Sequence, residues 1–295
     1  MQLHLVDATY ELFRAFYAPR PAVLSADGRD LTATWGLVEN LLSILRDEGA
    51  THLAAATDRV IESFRNDLYA GYKTGAGVDP TLMAQFPVAE AAIEALGIPL
   101  WPMVAHEADD AVATAVERWA DDPDVDGIVI CSPDKDMAQC VQGERVVLLD
   151  RRRRLTYDEA GVVAKWGVRP PSIPDLLALV GDAADGYPGL PGWGAKSAAA
   201  VLFRYRSIDA IPARASDWDV AVRGSVVLAA TLQDHMDEAL LYRTLARLRT
   251  DAPLAETSVD QLRWRGAPRE RWLAFCDEVG LDRLRSRPHR WLGDD

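Results

Sequence analysis

Cysteine is scarce in this 295-residue chain: there are three, Cys131, Cys140 and Cys276, and no two of them have the spacing of a metal-binding motif. This excludes a disulfide-rich fold and a cysteine-based zinc site. No apolar run approaches the roughly 18 residues that a membrane-spanning helix needs, so we expect no membrane partner. Met1 leads straight into the first predicted strand, so we expect no targeting leader and a reducing, cytoplasmic location.

Positive charge is also in short supply. The sequence has 32 lysines and arginines against 45 acidic residues, and its net charge is −13. This excludes a strongly basic domain that would bind nucleic acid by charge alone. Nine of the acidic residues, however, belong to a candidate metal site, where bound cations would offset their charge. Any affinity for DNA should therefore be modest and local.

Short apolar segments alternate with amphipathic ones in the first part of the chain. This alternation predicts an α/β fold with a mostly parallel sheet flanked by helices, and we place this domain at 1–168. The predicted strands are 2–6, 52–57, 98–101, 127–131 and 145–149. The predicted helices lie near 9–17, 34–48, 87–96, 107–120 and 134–141.

The strand pattern stops at Arg169-Pro170-Pro171, where we place a domain boundary. Only helices are predicted in the second domain, 169–295. They lie near 174–181, 195–204, 225–231, 236–248 and 268–277.

Carboxylates follow the predicted strands. Asp7, Asp58 and Asp134 each come at or just after the end of an apolar run. Ligands bind outside the carboxyl ends of strands in open α/β sheets, and acids that converge there must be protonated or neutralised by cations. Oxygen ligands without cysteine or histidine favour Mg²⁺ or Mn²⁺. The nine candidate ligands are Asp7, Asp58, Glu107, Asp109, Asp110, Asp134, Asp136, Asp182 and Asp185.

Two of the acidic motifs have simpler alternatives when each is considered alone. The motif 107–110 opens a predicted helix and is compatible with an ordinary acidic helix start, although three acids in four positions exceed what capping requires. The motif 132–136 follows a predicted strand and is compatible with a solvated turn. The spacing of the acids alone does not decide between these structural alternatives and a metal site.

The most specific segment is 181–197. It carries Asp182 and Asp185, and then a Gly192-x-Gly194 step before an alanine-rich helix that contains Lys196. Glycines let a backbone approach a phosphate closely, and the N-terminus of the following helix presents free N–H groups. The alternative is a glycine-rich C-cap between two helices.

The connection between Asp58 and Pro87 is long and rich in glycine, so we predict that it is irregular and that the segment 66–86 is mobile. It contains Arg65 and Lys73, which could grip a scissile phosphate, and Tyr72, which could offer a stacking face. The alternative is an exposed loop with scattered charges.

In this order, the motifs resemble those of the 5′→3′ exonuclease and flap endonuclease family, in particular the 5′-nuclease domain of bacterial DNA polymerase I. The resemblance extends over nearly the whole chain. It implies a PIN-like nuclease core, an arch segment at about 59–90 and a helix-hairpin-helix type module at about 174–204. Since no polymerase region follows, we expect a free-standing member. The residues that carry the resemblance are Val6-Asp7, Asp58, Ser63-Phe64-Arg65, Gly71-Tyr72-Lys73, Glu107-Ala108-Asp109-Asp110, Asp134-Lys135-Asp136, Gly181-Asp182, Asp185 and Gly192-x-Gly194-x-Lys196.

The resemblance also implies roles for individual residues. Lys73 matches the family's arch-base lysine, which lies beside the scissile phosphate. The first metal ion would be held by Asp7, Asp58, Glu107 and Asp109. The second would be held by Asp109, Asp134, Asp136 and Asp185, with Asp110 and Asp182 as extra acids. The element that grips duplex backbone, where family members also bind a monovalent cation such as K⁺, would comprise Gly192, Gly194, Lys196 and Ser197.

Two positions depart from the family pattern. The arginine that usually follows the lysine by three residues is Ala76 here, and the segment 74–90 contains no basic residue. The asparagine that commonly follows the last acid is Gly186.

Together these features predict a structure-specific 5′ nuclease that hydrolyses DNA near 5′ ends and flap junctions by two-metal-ion catalysis, in replication or repair. The expected partners are DNA with a 5′ flap, a 5′ overhang or a single-strand/double-strand junction, including RNA-primed strands, and we expect a monomer. Two alternatives stay open. One is a PIN-type ribonuclease, which shares the acidic core, and the other is a catalytically weak protein that binds DNA junctions.

Overall fold

The computed structural model describes residues 1–294. The chain forms two compact units, each assembled from separate segments. Unit 1 comprises Met1–Ile61, Gly75–Ser132 and Thr250–Asp295, and unit 2 comprises Glu62–Thr74 and Pro133–Arg249. These units describe packing within the chain, and the domains 1–168 and 169–295 stay a prediction.

The regular elements have these bounds. The strands are β1 (Gln2–Asp7), β2 (His52–Asp58), β3 (Leu100–Met103), β4 (Gly127–Cys131), β5 (Val146–Asp150) and β6 (Leu155–Tyr157). The α-helices are α1 (Ala8–Tyr17), α2 (Thr32–Asp47), α3 (Phe64–Leu68), α4 (Pro80–Met83), α5 (Phe86–Ala95), α6 (Ala108–Trp119), α7 (Glu159–Trp166), α8 (Ile173–Val180), α9 (Ala195–Tyr205), α10 (Ser225–Asp234), α11 (Met236–Ala246) and α12 (Arg269–Val279).

Four parallel strands form the centre of unit 1, in the order β3-β2-β1-β4. In the central strand β1, Leu5 lies opposite Ala54 of β2 on one side and Ile130 of β4 on the other. Most residues of these strands are buried, because α1, α2, α5 and α6 supply apolar side chains to the same core. Strands that are buried along most of their length are typical of a parallel sheet covered on both faces.

Unit 2 contains an antiparallel pair and a group of helices. β5 pairs with β6 through Leu149 opposite Thr156, and residues 151–154 form the turn between them, with Arg154 at φ 55°. The helix α8 packs against both α9 and α11, and the segment 181–194 connects α8 to α9. The segment predicted to form a hairpin thus lies between two helices, and the helix-hairpin-helix module stays a prediction.

The predicted strands lie within about two residues of those observed, but one predicted helix was wrong. The stretch 134–141 forms only a short 3₁₀ helix, Asp136–Cys140, because the Asp134 carboxylate accepts the Asp136 backbone N–H and turns the chain first. The segment 58–87 was predicted to be irregular. It contains α3 and α4, which are begun by Ser63 and by Asp79-Pro80.

Among residues 1–294, no helix is long and apolar enough to cross a membrane.

Candidate functional site

The acidic residues of unit 1 lie at the carboxyl edge of its sheet. Asp7 ends β1 and Asp58 ends β2, and these strands are parallel neighbours. The buried Asp7 carboxylate accepts hydrogen bonds from the Tyr10 backbone N–H at 2.8 Å and from the Ser132 hydroxyl at 3.1 Å. Because Ser132 directly follows β4, three strand ends contribute to this edge.

The helix α6 joins the same edge through its N-terminus. The Asp58 carboxylate accepts the Ala108 backbone N–H at 2.6 Å, which ties the end of β2 to the start of α6. Glu107 and Asp110 are buried, and Asp109 is half-buried. One oxygen of Asp110 accepts the Glu107 backbone N–H at 3.0 Å, so this carboxylate takes part in capping the helix. Asp110 therefore has the capping role that the simpler interpretation of the motif 107–110 predicts.

In unit 2, three carboxylates form a compact cluster that we call the Asp136 cluster. It consists of Asp136, Asp182 and Asp185, whose ligand oxygens all lie within 4.8 Å of one another, and all three residues are buried. Asp182 and Asp185 lie in the tight turn after α8, which is closed by a hydrogen bond from the Asp182 N–H to the Tyr187 carbonyl at 2.8 Å. The exposed Asp134 orients Asp136 by accepting its backbone N–H at 3.0 Å.

Two lysines partly balance this negative charge. Lys135 Nζ lies 2.7 Å from Asp182 Oδ2, and Lys73 Nζ lies 3.0 Å from Asp185 Oδ1. Burial lowers the pKa of Lys135, but the hydrogen bond and charge of Asp182 more than compensate and raise its pKa above the ordinary value. Lys135 therefore stays charged at neutral pH.

The third carboxylate of the cluster, Asp136, is repelled by the negative charges around it. Burial raises the pKa of Asp136 well above its ordinary value, and the charges of Asp134, Asp185 and Asp182 raise it further. Asp136 Oδ1 is buried and has no hydrogen-bond donor among the described residues. A divalent cation would supply both the missing charge and the missing partner. This all-oxygen donor set fits a hard cation such as Mg²⁺ or Mn²⁺.

Lys73 reaches this cluster because its own backbone is docked there. The Lys73 N–H donates to the Asp185 carbonyl at 2.9 Å, and the Lys73 carbonyl accepts from Asn66 Nδ2 at 2.9 Å. Gly186 makes this contact possible: it has φ +90°, and a Cβ there would lie 2.2 Å from the Gly71 carbonyl oxygen. Sequence reasoning noted Gly186 as a departure but missed this function, which depends on a contact 115 residues away in sequence.

The two other residues predicted in the arch segment have different placements. Arg65 is 1% exposed, and it donates from Nε to the Leu245 carbonyl at 2.8 Å and from Nη2 to the Arg247 carbonyl at 3.2 Å. Tyr72 is 3% exposed. Arg65 therefore ties α3 to the end of α11, and the Tyr72 side chain is buried, while the phosphate contact of Arg65 and the base stacking of Tyr72 stay predictions.

Replacing Arg65 with methionine should destabilise the protein by about 2–4 kcal/mol, because the buried Leu245 carbonyl and the part-buried Arg247 carbonyl would lose their donor. The free energy of unfolding in urea measures this loss. Arg152→Met is the control, since Arg152 lies exposed in the β5–β6 turn, and we expect a change of less than about 0.5 kcal/mol. If Arg65→Met were as stable as the parent and lost only DNA cleavage, the result would support the predicted contact between Arg65 and a phosphate.

The predicted backbone-binding element lies at the start of α9. Gly192 has φ +79°, and Gly192, Gly194 and Lys196 are exposed. The Ser197 hydroxyl donates to the Gly194 carbonyl at 3.1 Å. The first turn of α9 is thus open to a phosphate, with a lysine beside it.

A basic residue that sequence reasoning missed lines the same surface pocket. Arg223 lies next to Gly224, the N-cap of α10, and shares this pocket with Lys196 and Gly192. Only the fold brings Arg223 there, because 26 residues separate it from Lys196 in sequence.

Tyr187 was also missed. Its side chain is 1% exposed, and its ring stacks on Tyr242 with 5.5 Å between ring centroids. Burial raises the pKa of its phenol, and the charges of Asp136, Asp185 and Asp182 raise it further. No residue-type signal distinguishes such a tyrosine from an ordinary core aromatic.

Two models of a known family match most of the chain. The model described as 5′-3′ exonuclease, N-terminal resolvase-like domain, matches residues 2–167. The model described as 5′-3′ exonuclease, C-terminal SAM fold, matches residues 168–270.

Several relatives are bacterial DNA polymerase I sequences. The Rhizobium leguminosarum protein is 36% identical over 260 residues, which cover 85% of this chain and 25% of that protein. The Mycobacterium leprae protein is 34% identical over 292 residues, which cover 97% of this chain and 31% of that protein. The chain therefore spans about a quarter to a third of the length of these relatives.

Solved structures of similar fold include T5 5′-exonuclease with bound zinc, at TM-score 0.68 and 17% identity over 95% of this chain and 98% of that one. The catalytic core of Rad2 in complex with DNA substrate has TM-score 0.61 and 14% identity, over 94% and 87% of the two chains. At these identities the likeness concerns the fold. The predicted fold class, an α/β PIN-like core with a mostly parallel sheet and a C-terminal helical module, is confirmed.

Proposed function

The chain belongs to the 5′-3′ exonuclease family, and on this premise we propose that it is a structure-specific 5′ nuclease that hydrolyses DNA phosphodiesters near 5′ ends and flap junctions. The observation that carries this proposal is the buried Asp136 cluster with Lys73 docked beside it. Clustered acids with one unsatisfied buried oxygen are suited to a divalent ion, and a lysine ammonium at the same place is suited to a phosphate.

The metal assignment is part of the proposal. The acids of unit 1 would hold one divalent ion and the acids of unit 2 another, either Mg²⁺ or Mn²⁺. When bound, these ions would supply an activated water and stabilise the leaving oxygen. The proposed ligands are Asp7, Asp58, Glu107 and Asp109 in unit 1, and Asp134, Asp136 and Asp185 in unit 2, with Asp110 and Asp182 as supporting acids.

Within unit 2, the two lysines have different parts in this proposal. Lys135 is bound to the buried Asp182 and serves as a fixed counter-charge. Lys73 is half-buried at the cluster, and its ammonium could leave Asp185 to bind a phosphoryl oxygen as negative charge develops there. The Asn66 side chain and the Asp185 carbonyl hold the Lys73 backbone beside the cluster.

DNA recognition would depend on backbone shape. Gly192, Gly194, Lys196 and Ser197 would contact duplex phosphates, and K⁺ is the proposed monovalent ion at this hairpin. One solved relative of similar fold, the bacteriophage T5 D15 flap endonuclease, is described in a pseudo-enzyme-product complex with DNA and metal ions, which supports a DNA substrate.

The remaining assignments are also proposals. The substrates would be 5′ flaps, 5′ overhangs and single-strand/double-strand junctions, including RNA-primed strands, and the protein would act as a monomer. The three cysteines are buried and form no disulfide, which is compatible with the proposed cytoplasmic location near the nucleoid.

A comparison of DNA and RNA junctions tests whether DNA is the substrate. Three labelled 5′-flap junctions of identical sequence should be offered with Mg²⁺: all DNA, all RNA, and DNA with an RNA 5′ strand. We expect efficient incision of the DNA flap and slower incision of the all-RNA junction. Preferred cleavage of single-stranded RNA would instead support a PIN-type ribonuclease, and junction binding without incision would support a binding protein.

A further inference from the structure

Two buried polar atoms in unit 2 have no hydrogen-bond partner among the described residues: Asp136 Oδ1 and the Tyr187 hydroxyl. One is an acceptor and the other is a donor. Buried polar groups are nearly always satisfied by protein or by bound water, since an unsatisfied buried group costs about 1–3 kcal/mol.

The Tyr187 phenol is held rigidly. Its ring is stacked on Tyr242 with 21° between the ring planes, and Tyr242 in turn meets Tyr69 edge-on at 5.8 Å. Its backbone forms both hydrogen bonds of the turn with Asp182: the Asp182 N–H donates to the Tyr187 carbonyl at 2.8 Å, and the Tyr187 N–H donates back at 3.1 Å. The hydroxyl therefore cannot turn away to reach bulk water.

Both unsatisfied atoms belong to the same acidic surroundings, because the Tyr187 backbone is hydrogen-bonded in both directions to Asp182, whose ligand oxygen lies within 4.8 Å of those of Asp136 and Asp185. They are not hydrogen-bonded to each other. One water molecule between them would accept a hydrogen bond from the phenol and donate one to Asp136, which would satisfy both atoms.

We propose that Tyr187 is a positioning residue that donates a hydrogen bond to a water molecule held at Asp136, and so orders the hydration of the divalent ion at this cluster. This inference rests on the proposed metal-dependent function. Groups that orient metal ligands and bound water without touching the metal typically change its affinity by 10–100-fold.

Titration of the metal-free protein with MnCl₂ in a calorimeter tests this inference. In Tyr187→Phe, we expect the Mn²⁺ dissociation constant of one site to rise by about tenfold, because the ring stack remains and only the donor is lost. The metal-free melting temperature should stay the same or rise, since an unsatisfied buried hydroxyl is removed. Tyr242→Phe is the matched control: it also loses a hydroxyl in the same stack, and its Mn²⁺ affinity should equal that of the parent.

A Tyr187→Phe variant whose Mn²⁺ affinity is within twofold of the parent would overturn the inference, and so would a parent protein that binds no Mn²⁺. Flap cleavage by the parent is measured separately. Cleavage with unchanged Mn²⁺ affinity in Tyr187→Phe would refute only the role of Tyr187. Mn²⁺ binding that depends on Tyr187 but is not accompanied by flap cleavage would refute only the proposed nuclease activity.

Discussion

Asp136→Asn should lower the rate of flap cleavage by about 10³-fold or more and at the same time stabilise the metal-free protein. The loss of rate follows from removing a buried metal ligand, since metal catalysis contributes several kcal/mol and each 1.36 kcal/mol is a factor of about ten in rate. The gain in stability follows from removing a carboxylate that burial and three neighbouring acids destabilise. Single-turnover cleavage in Mg²⁺ and urea unfolding in EDTA measure the two effects.

The pH dependence of metal-free stability has a definite sign. The pKa of Asp136 is raised by folding, so the folded state binds its proton more tightly than the unfolded state does. Its stabilising contribution is therefore full below the unfolded pKa, about 4, and is lost as pH rises from there through the raised folded pKa. In Asp136→Asn this part of the decline should disappear.

Asp234→Asn is the control for Asp136→Asn, because Asp234 is an exposed carboxylate at the end of α10 in the same unit. It should cleave like the parent and differ in stability by no more than about 0.5 kcal/mol. If Asp136→Asn cleaved within tenfold of the parent, Asp136 would not be a metal ligand in the reaction.

Gly186→Ala should reduce flap cleavage by about 100-fold through the displacement of Lys73. An added Cβ would lie 2.2 Å from the Gly71 carbonyl oxygen, a backbone atom, so the segment that carries Lys73 has to move. A misplacement of about 1 Å at a catalytic group can cost about 10²-fold in rate. The positive φ adds about 1–3 kcal/mol of strain to the folded state. Cleavage kinetics over a range of DNA concentrations should show the loss mainly in kcat.

Gly143→Ala is the control that separates the steric clash of an added Cβ from the backbone strain of a positive φ. Gly143 also has a positive φ, 52°, but its added Cβ would meet no atom within 4 Å. We expect a comparable loss of stability from backbone strain and unchanged cleavage. Equal cleavage by Gly186→Ala and the parent would contradict the docking of Lys73 at the cluster.

The sequence predicted the parts of the fold that repeat a simple pattern. The strands β1, β2 and β4 each contain an apolar run, and Asp7 and Asp58 could be assigned to one edge because parallel strands end together. The Asp134-Lys135-Asp136 turn and the segment 181–197 could be recognised because the residues that define each motif are close together in sequence.

What the sequence could not predict depends on contacts between distant segments. Arg65 resembles a phosphate ligand in sequence, but in the structure it donates hydrogen bonds to the carbonyls of Leu245 and Arg247. These two residues lie about 180 positions later in the chain. Tyr72 has a side chain suited to base stacking, but tertiary packing buries it. Gly186 looked like a minor departure until its close approach to Gly71 was known. Local propensity contains no information about such pairs.

Polarity-specific incision tests the central claim most directly. Matched DNA junctions that differ only in having a labelled 5′ flap or a labelled 3′ flap should be incubated with Mg²⁺ and either the parent or Asp134→Ala. We predict that the parent incises the 5′ flap within a few nucleotides of the junction and leaves the 3′ flap intact, and that EDTA or Asp134→Ala abolishes incision. Equal cutting of both flaps, or cutting that survives in EDTA, would contradict a metal-dependent 5′ nuclease.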